Sequence, residues 1–220
     1  MDTLKTAFKR FCIAVIFSIA FGYIEAAVVV YLREIFYADG FTFPIEMFSI
    51  NPLWKRLLMT EIGREASTLV LILTGAWLFG TNLRQRVAYF LTIFAVWDIF
   101  YYVWLKVLLD WPVSLMDWDI LFLIPVSWAG PVLAPILVSL VMFFFAVSIL
   151  YCDSCTKQLK VTLYDWIAFF VAGFILVVSF CIPGLHTAED SYITYFYWPF
   201  FSAGLLLAVL VFTKCLVRSI

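Results

Sequence analysis

Six stretches of this chain are apolar enough, and long enough, to cross a bilayer whose core needs about 20 helical residues. They run over residues 11–32, 57–80, 87–109, 120–151, 163–183 and 196–216. In hydrocarbon a backbone must satisfy its own hydrogen bonds, so such runs are read as helices. The expected fold is an all-α integral membrane bundle of six transmembrane helices, one domain over 1–220. Composition agrees: 65% of residues are apolar and 13% charged, against about 45–50% and about 25% in a soluble domain. The basic start at Lys5, Lys9 and Arg10 resembles a signal peptide. The run behind it, however, continues past Glu25 to Leu32, and Gly22-Tyr23-Ile24-Glu25 is a poor cleavage context, so it is read as a retained span.

Charge orients the bundle. Lys5, Lys9, Arg10, Arg84, Arg86, Lys157, Lys160, Lys214 and Arg218 fall on one side of an even number of spans, while the opposite loops carry Arg33, Lys55 and Arg56. The positive-inside bias then places both termini in the cytoplasm. The acids Glu34, Asp39, Glu46, Asp110, Asp117, Glu189 and Asp190 fall outside. In the long loop 34–54, Phe36, Tyr37, Phe41, Phe43 and Phe48 suit the interface. The fourth stretch is too long for one plain span, and Pro125, Gly130, Pro131 and Pro135 interrupt it. Residues 118–126 are therefore read as a short or re-entrant helix ahead of the main crossing, tolerable only where protein or water covers it.

Ionisable residues inside spans are costly and mark function by default. With this topology Glu25 lies about 10 Å below the outer end of the first span at 1.5 Å per residue. Glu61, Arg64 and Glu65 occupy the outer third of the second. Asp98 sits near mid-membrane on the third, with Tyr101, Tyr102 and Lys106 above it, and Asp119 opens the fourth. Glu61, Arg64 and Glu65 share a helix face, and Asp98, Tyr102 and Lys106 climb another in steps of four. Arg64 is the natural partner of Asp98 or Glu25, since a guanidinium grips a carboxylate bidentately. Lys106 either snorkels outward or meets Asp119. The expectation is an outward-facing polar pocket with Asp98 at its base. Glu25, Glu61, Arg64, Glu65, Tyr102 and Lys106 form its walls, and the Asp110–Asp119 turn its lid.

Acids exceed bases in this set, which suits a cation, a proton relay or a protonated carboxyl. A bundle di-metal site needs Glu-x-x-His on two helices, and His186, the sole histidine, falls in a loop; metal occupancy and cofactor stay unspecified. Cys152-Asp-Ser-Cys155 has redox or zinc spacing, but no second pair completes a zinc site. A net charge of −1 offers no basic surface for nucleic acid. Nucleotide loops, G-x-S-x-G and H-E-x-x-H motifs are absent.

Glu25-Ala-Ala-Val-Val-Val-Tyr-Leu-Arg33, Glu61-Ile-Gly-Arg-Glu65, the run Trp97-Asp98 to Lys106 and Trp118-Asp119 to Pro125 resemble a set of uncharacterised polytopic membrane proteins of prokaryotic genomes. The resemblance covers about the first two thirds of the chain and implies a protein of the prokaryotic plasma or inner membrane, but no activity. The leading expectation is binding or proton-coupled transport of a small cation or polar solute. The alternatives are an intramembrane enzyme acting on a lipid-linked substrate, the head group meeting the carboxylates, and a structural subunit of a membrane complex. Uncharged inner halves of spans one and three argue against a polar path to the cytoplasm. The oligomeric state is not legible.

Overall fold

The structure, a computed structural model, describes residues 2–37, 40–44, 52–155 and 159–219. Asp39, Glu46, Phe48 and Lys157 lie outside the described residues. Among the described residues six long helices are present: α1 Asp2–Phe36, α2 Pro52–Phe79, α3 Leu83–Leu109, α4 Leu133–Ser154, α5 Leu163–Gly184 and α6 Trp198–Val217. All six contain a window long and apolar enough to cross a membrane. The protein is a multi-pass membrane helical bundle.

Local chemistry sets the helix ends. The Asn82 side chain accepts from the Gln85 N–H to start α3, as a polar N-cap should. Asp110 closes α3 in the left-handed region at φ 52°, and Pro112 follows it. Thr162 and Asp165 form a reciprocal capping box at the start of α5. Pro199 occupies the first turn of α6, where its missing N–H costs nothing.

Helix α3 is central, packed between α1 and α4, with α2 also resting on it. A Cβ at Gly22 would lie 3.0 Å from the Trp97 carbonyl oxygen, so the absent side chain lets α1 approach α3 closely. Trp104 Nε1–H donates to the Ile19 carbonyl at 3.1 Å and ties the same pair. Helices α5 and α6 form a second pair, joined to α4 through the Phe145–Phe212 stack at 4.0 Å. On the side of the termini, Ala14, Phe21, Ile72, Ala76, Tyr89 and Ile93 form an apolar core between α1, α2 and α3.

Residues 118–126 do not form the expected helix. Trp118–Phe122 (β1) and Trp128–Pro131 (β2) pair as an antiparallel hairpin, with Asp119 opposite Gly130 and Ile120 opposite Ala129. The reason is physical. Proline at 125 and 131 and glycine at 130 interrupt helical hydrogen bonding, while the short aromatic and branched run WDILF suits a strand. The hairpin reaches across the bundle. Trp118 meets Tyr192 and Phe196 at one end, and Leu123 meets Glu65 of α2 at the other. An ideal Cβ at Gly184 would fall on the Ser127 carbonyl, so only glycine lets the end of α5 cover the turn. Asp119 and residues 129–131 are buried, while Pro125 and Val126 at the turn are exposed.

Candidate functional site

A cavity of about 290 Å³ opens among α1, α2, α3 and the hairpin. It gathers Glu25, Glu61, Arg64, Glu65, Asp98, Tyr102 and Asp119, seven of the eight residues expected from sequence. Lys106 is the exception.

Glu25 is 4% exposed. It takes a salt bridge from Arg64 and a 2.6 Å hydrogen bond from the Thr68 hydroxyl. Arg64 also holds Glu61, one turn earlier, at 2.8 Å, so one guanidinium lies between two carboxylates. Glu65 faces the hairpin instead. Both its oxygens accept the Leu123 N–H, at 2.8 and 3.1 Å, which satisfies a backbone donor freed where the strand pairing ends. Asp98 accepts the Ser139 hydroxyl of α4 at 2.8 Å. Among the described residues neither Glu65 nor Asp98 enters a salt bridge.

Of the two partners expected for Arg64 it takes Glu25, and Asp98 accepts the neutral Ser139 hydroxyl. Two other expectations are corrected here. Lys106 forms no wall: it pairs with exposed Asp110 at 2.7 Å and donates to the Asp110 carbonyl at 3.2 Å. A contact one turn away, in water, wins over a buried one that would strip the ammonium of solvent. The Lys106 ammonium bonded to its carboxylate holds the Asp110 carboxyl below its ordinary range. Of the Asp110–Asp119 turn expected as a lid, only Asp119 lines the cavity. Asp117 turns back to accept the Val113 and Ser114 N–H groups at 2.7 and 3.1 Å, and the rings of Phe36, Tyr37 and Phe41 stand on the wall instead.

Those rings frame a residue that sequence reading assigned to a loop. Helix α1 continues to Phe36, so Arg33 lies in its last turn, 7% exposed. Its guanidinium is sandwiched between Phe41 and Trp111, 4.1 and 3.8 Å from the ring centres, and bonds Asp119 at 3.0 Å. Positive charge over aromatic faces is favourable, the more so when desolvated. Tyr37 stands nearby, and burial raises its hydroxyl pKa. Thr68 and Ser139 were also missed. A hydroxyl in a span usually bonds its own helix, and only tertiary packing shows that these two serve carboxylates elsewhere.

Electrostatically, five carboxylates on the cavity wall face two guanidiniums. The remaining wall is largely apolar, with Trp97, Tyr101, Phe122, Trp128 and Phe180 among its rings. Among the described residues four buried side-chain polar atoms lack a hydrogen-bond partner, and Trp97 Nε1, Trp128 Nε1 and Asp119 Oδ2 belong to residues of this wall. Such atoms are rare in folded proteins, and they concentrate here.

Elsewhere the expected roles are local. His186 stacks on Tyr195 at 3.8 Å and bonds Glu189 at 2.6 Å, outside the cavity. Cys152 is buried and Cys155 exposed. Among the described residues no group of three or more His, Cys, Asp or Glu side chains is placed to hold a metal ion. No protein-family model, curated protein or solved structure matches the chain.

Proposed function

We propose that this protein binds a small organic cation in the cavity, from the side of the membrane opposite both termini. The observation that carries the reading is a surplus of carboxylates over guanidiniums on a cavity wall otherwise rich in aromatic rings. Carboxylates supply attraction and ring faces supply cation–π contact, the pairing that recognises ammonium groups. Asp98 and Glu65 are the anionic contacts, because Glu25, Glu61 and Asp119 are already engaged by Arg64 and Arg33. A metal ion, by contrast, prefers a close shell of oxygen ligands, and these carboxylates bond different partners on different elements.

Binding is favoured over carriage. Below Asp98 the packing is the apolar cluster around Phe21, Ile72, Tyr89 and Ile93, which gives a cation no polar path onward. We further propose a prokaryotic plasma membrane as its location, with both termini cytoplasmic, as the basic residues on their side favour, and the cavity facing out. Its test is equilibrium binding of radiolabelled tetramethylammonium to purified protein, with neutral neopentyl alcohol as a similarly shaped competitor. The cation should bind saturably, the alcohol should not displace it, and Asp98→Asn should weaken it about tenfold or more, equivalent to 1.4 kcal/mol. Equal competition by the alcohol would overturn the reading.

A further inference from the structure

The cavity's walls are unequal. Helix α2 rests on α3 and makes only a narrow contact with α1. Among the described residues the ties between the pair include Arg64 and Thr68 to Glu25, Phe17 to Phe79, and Arg10 to the Phe79 carbonyl. These lie at or below the level of Glu25. Above it the cavity is bordered by Val29, Leu32 and Phe36 on α1 and by Leu57 and Leu58 on α2. Each of these is half-buried. Val29, Leu32 and Phe36 continue the helix face that carries Glu25, at i+4, i+7 and i+11. Leu57, Leu58, Glu61, Arg64 and Thr68 share one face in the same way. Two apolar strips thus flank the cavity and lead from its carboxylates toward the outside of the bundle. Neighbouring positions Ile24, Tyr31 and Ile35 on α1, and Met59 on α2, are 60–69% exposed, as lipid-facing residues are.

We infer that the occupant is a cationic amphiphile of the bilayer, which reaches the site sideways between α1 and α2. Its ammonium head lies against Asp98 and Glu65, and its alkyl chain rests between the Val29–Leu32 and Leu57–Leu58 strips. The inference rests on the cation-binding reading and adds the substrate class. Charge complementarity selects the head. The chain follows from the wall itself: a small hydrophilic cation gains nothing from half-buried aliphatic strips, whereas a chain buries apolar surface on them. Below Glu25 the same helices close over Phe17 and Phe79, so the head stops at the carboxylates.

The test uses full-length protein in dodecyl maltoside micelles, with radiolabelled tetramethylammonium displaced by unlabelled tetramethylammonium or dodecyltrimethylammonium. Wild type should be displaced by the long-chain compound at about tenfold lower concentration or less. In Leu58→Trp that advantage should vanish while tetramethylammonium still binds; Leu57→Trp guards against a single poorly folded variant, and gel filtration confirms assembly of both. If tetramethylammonium binds but the chain adds nothing, or the advantage survives in both folded variants, the lateral route is wrong and the cation reading stands. If neither compound binds wild type, the cation reading itself fails.

Discussion

Arg64 and Glu25 form a salt bridge between α1 and α2 on the cavity wall, with Thr68 completing the glutamate's hydrogen bonds. The pair is largely out of solvent, so its partners are unequal to lose. Arg64→Gln leaves a carboxylate at 4% exposure without its cation and should destabilise the protein by about 3 kcal/mol. Removing both charges, Glu25→Gln with Arg64→Gln, should recover most of that loss, because the cost lies in stranding a charge. Thermal unfolding of the two singles and the double in micelles forms the cycle. Simple additivity of the singles would show that the two residues do not act as a pair.

Arg33 offers a test of geometry against charge. Lysine keeps the charge but not the flat guanidinium that fills the space between Phe41 and Trp111. Arg33→Lys should therefore cost about 1 kcal/mol, read as a lower unfolding temperature. Arg33→Gln, which also strands Asp119, should cost about 3 kcal/mol. Equal stability for lysine and arginine would remove the aromatic sandwich from the account.

Glu65 serves the hairpin as well as the cavity. Glutamine at 65 keeps an acceptor for the Leu123 N–H, while alanine keeps none. Glu65→Ala should lose about 1–3 kcal/mol more than Glu65→Gln, the cost of an unsatisfied buried donor. Hydrogen exchange at Leu123 should rise in the alanine variant and stay slow in the glutamine one.

Asp98 separates fold from binding. Asparagine can still accept the Ser139 hydroxyl but carries no charge, so Asp98→Asn should unfold within about 1 kcal/mol of wild type while losing the cation. Ser139→Ala should do the reverse, costing about 1 kcal/mol of stability and sparing the charge. If Asp98→Asn lost folded yield and nothing else, Asp98 would be a packing residue.

These residues differ in how readable they were. Glu25, Arg64, Glu65 and Asp98 fall together because helix spacing and span direction alone set their face and depth. Arg33 did not, because apolarity marks where a span leaves lipid, not where its helix stops. Helix α1 runs 35 residues, about 52 Å at 1.5 Å each, well beyond a hydrocarbon core of about 30 Å. The hairpin was hidden for another reason. A five-residue apolar run has too few positions to tell period 2 from period 3.6, and the strand exists because the rest of the bundle shields it. Lys106 shows the remaining blind spot. Asp110, one turn on, and Asp119 are both acids it can reach on paper, and solvent cost decides between them.

The loop after α5 supplies a pH test outside the spans. Glu189 bonds His186, the Tyr195 hydroxyl at 2.8 Å and Ser191. The hydrogen bond from His186, followed by that from Tyr195, holds its carboxyl below the ordinary glutamate range. A carboxylate with a depressed folded-state pKa contributes stability above its unfolded pKa and loses it as pH falls through the folded one. Loop order should therefore be constant at neutral pH and decline below the usual glutamate range. The group is exposed, so the effect is local and leaves the bundle folded. Limited proteolysis with pepsin, an acid-active protease, should cut near 185–197 faster at low pH in wild type. Glu189→Gln, which holds no titrating proton, should cut at a rate set by the protease alone. An identical pH profile for the two proteins would show that His186 and Tyr195 do not depend on the Glu189 charge.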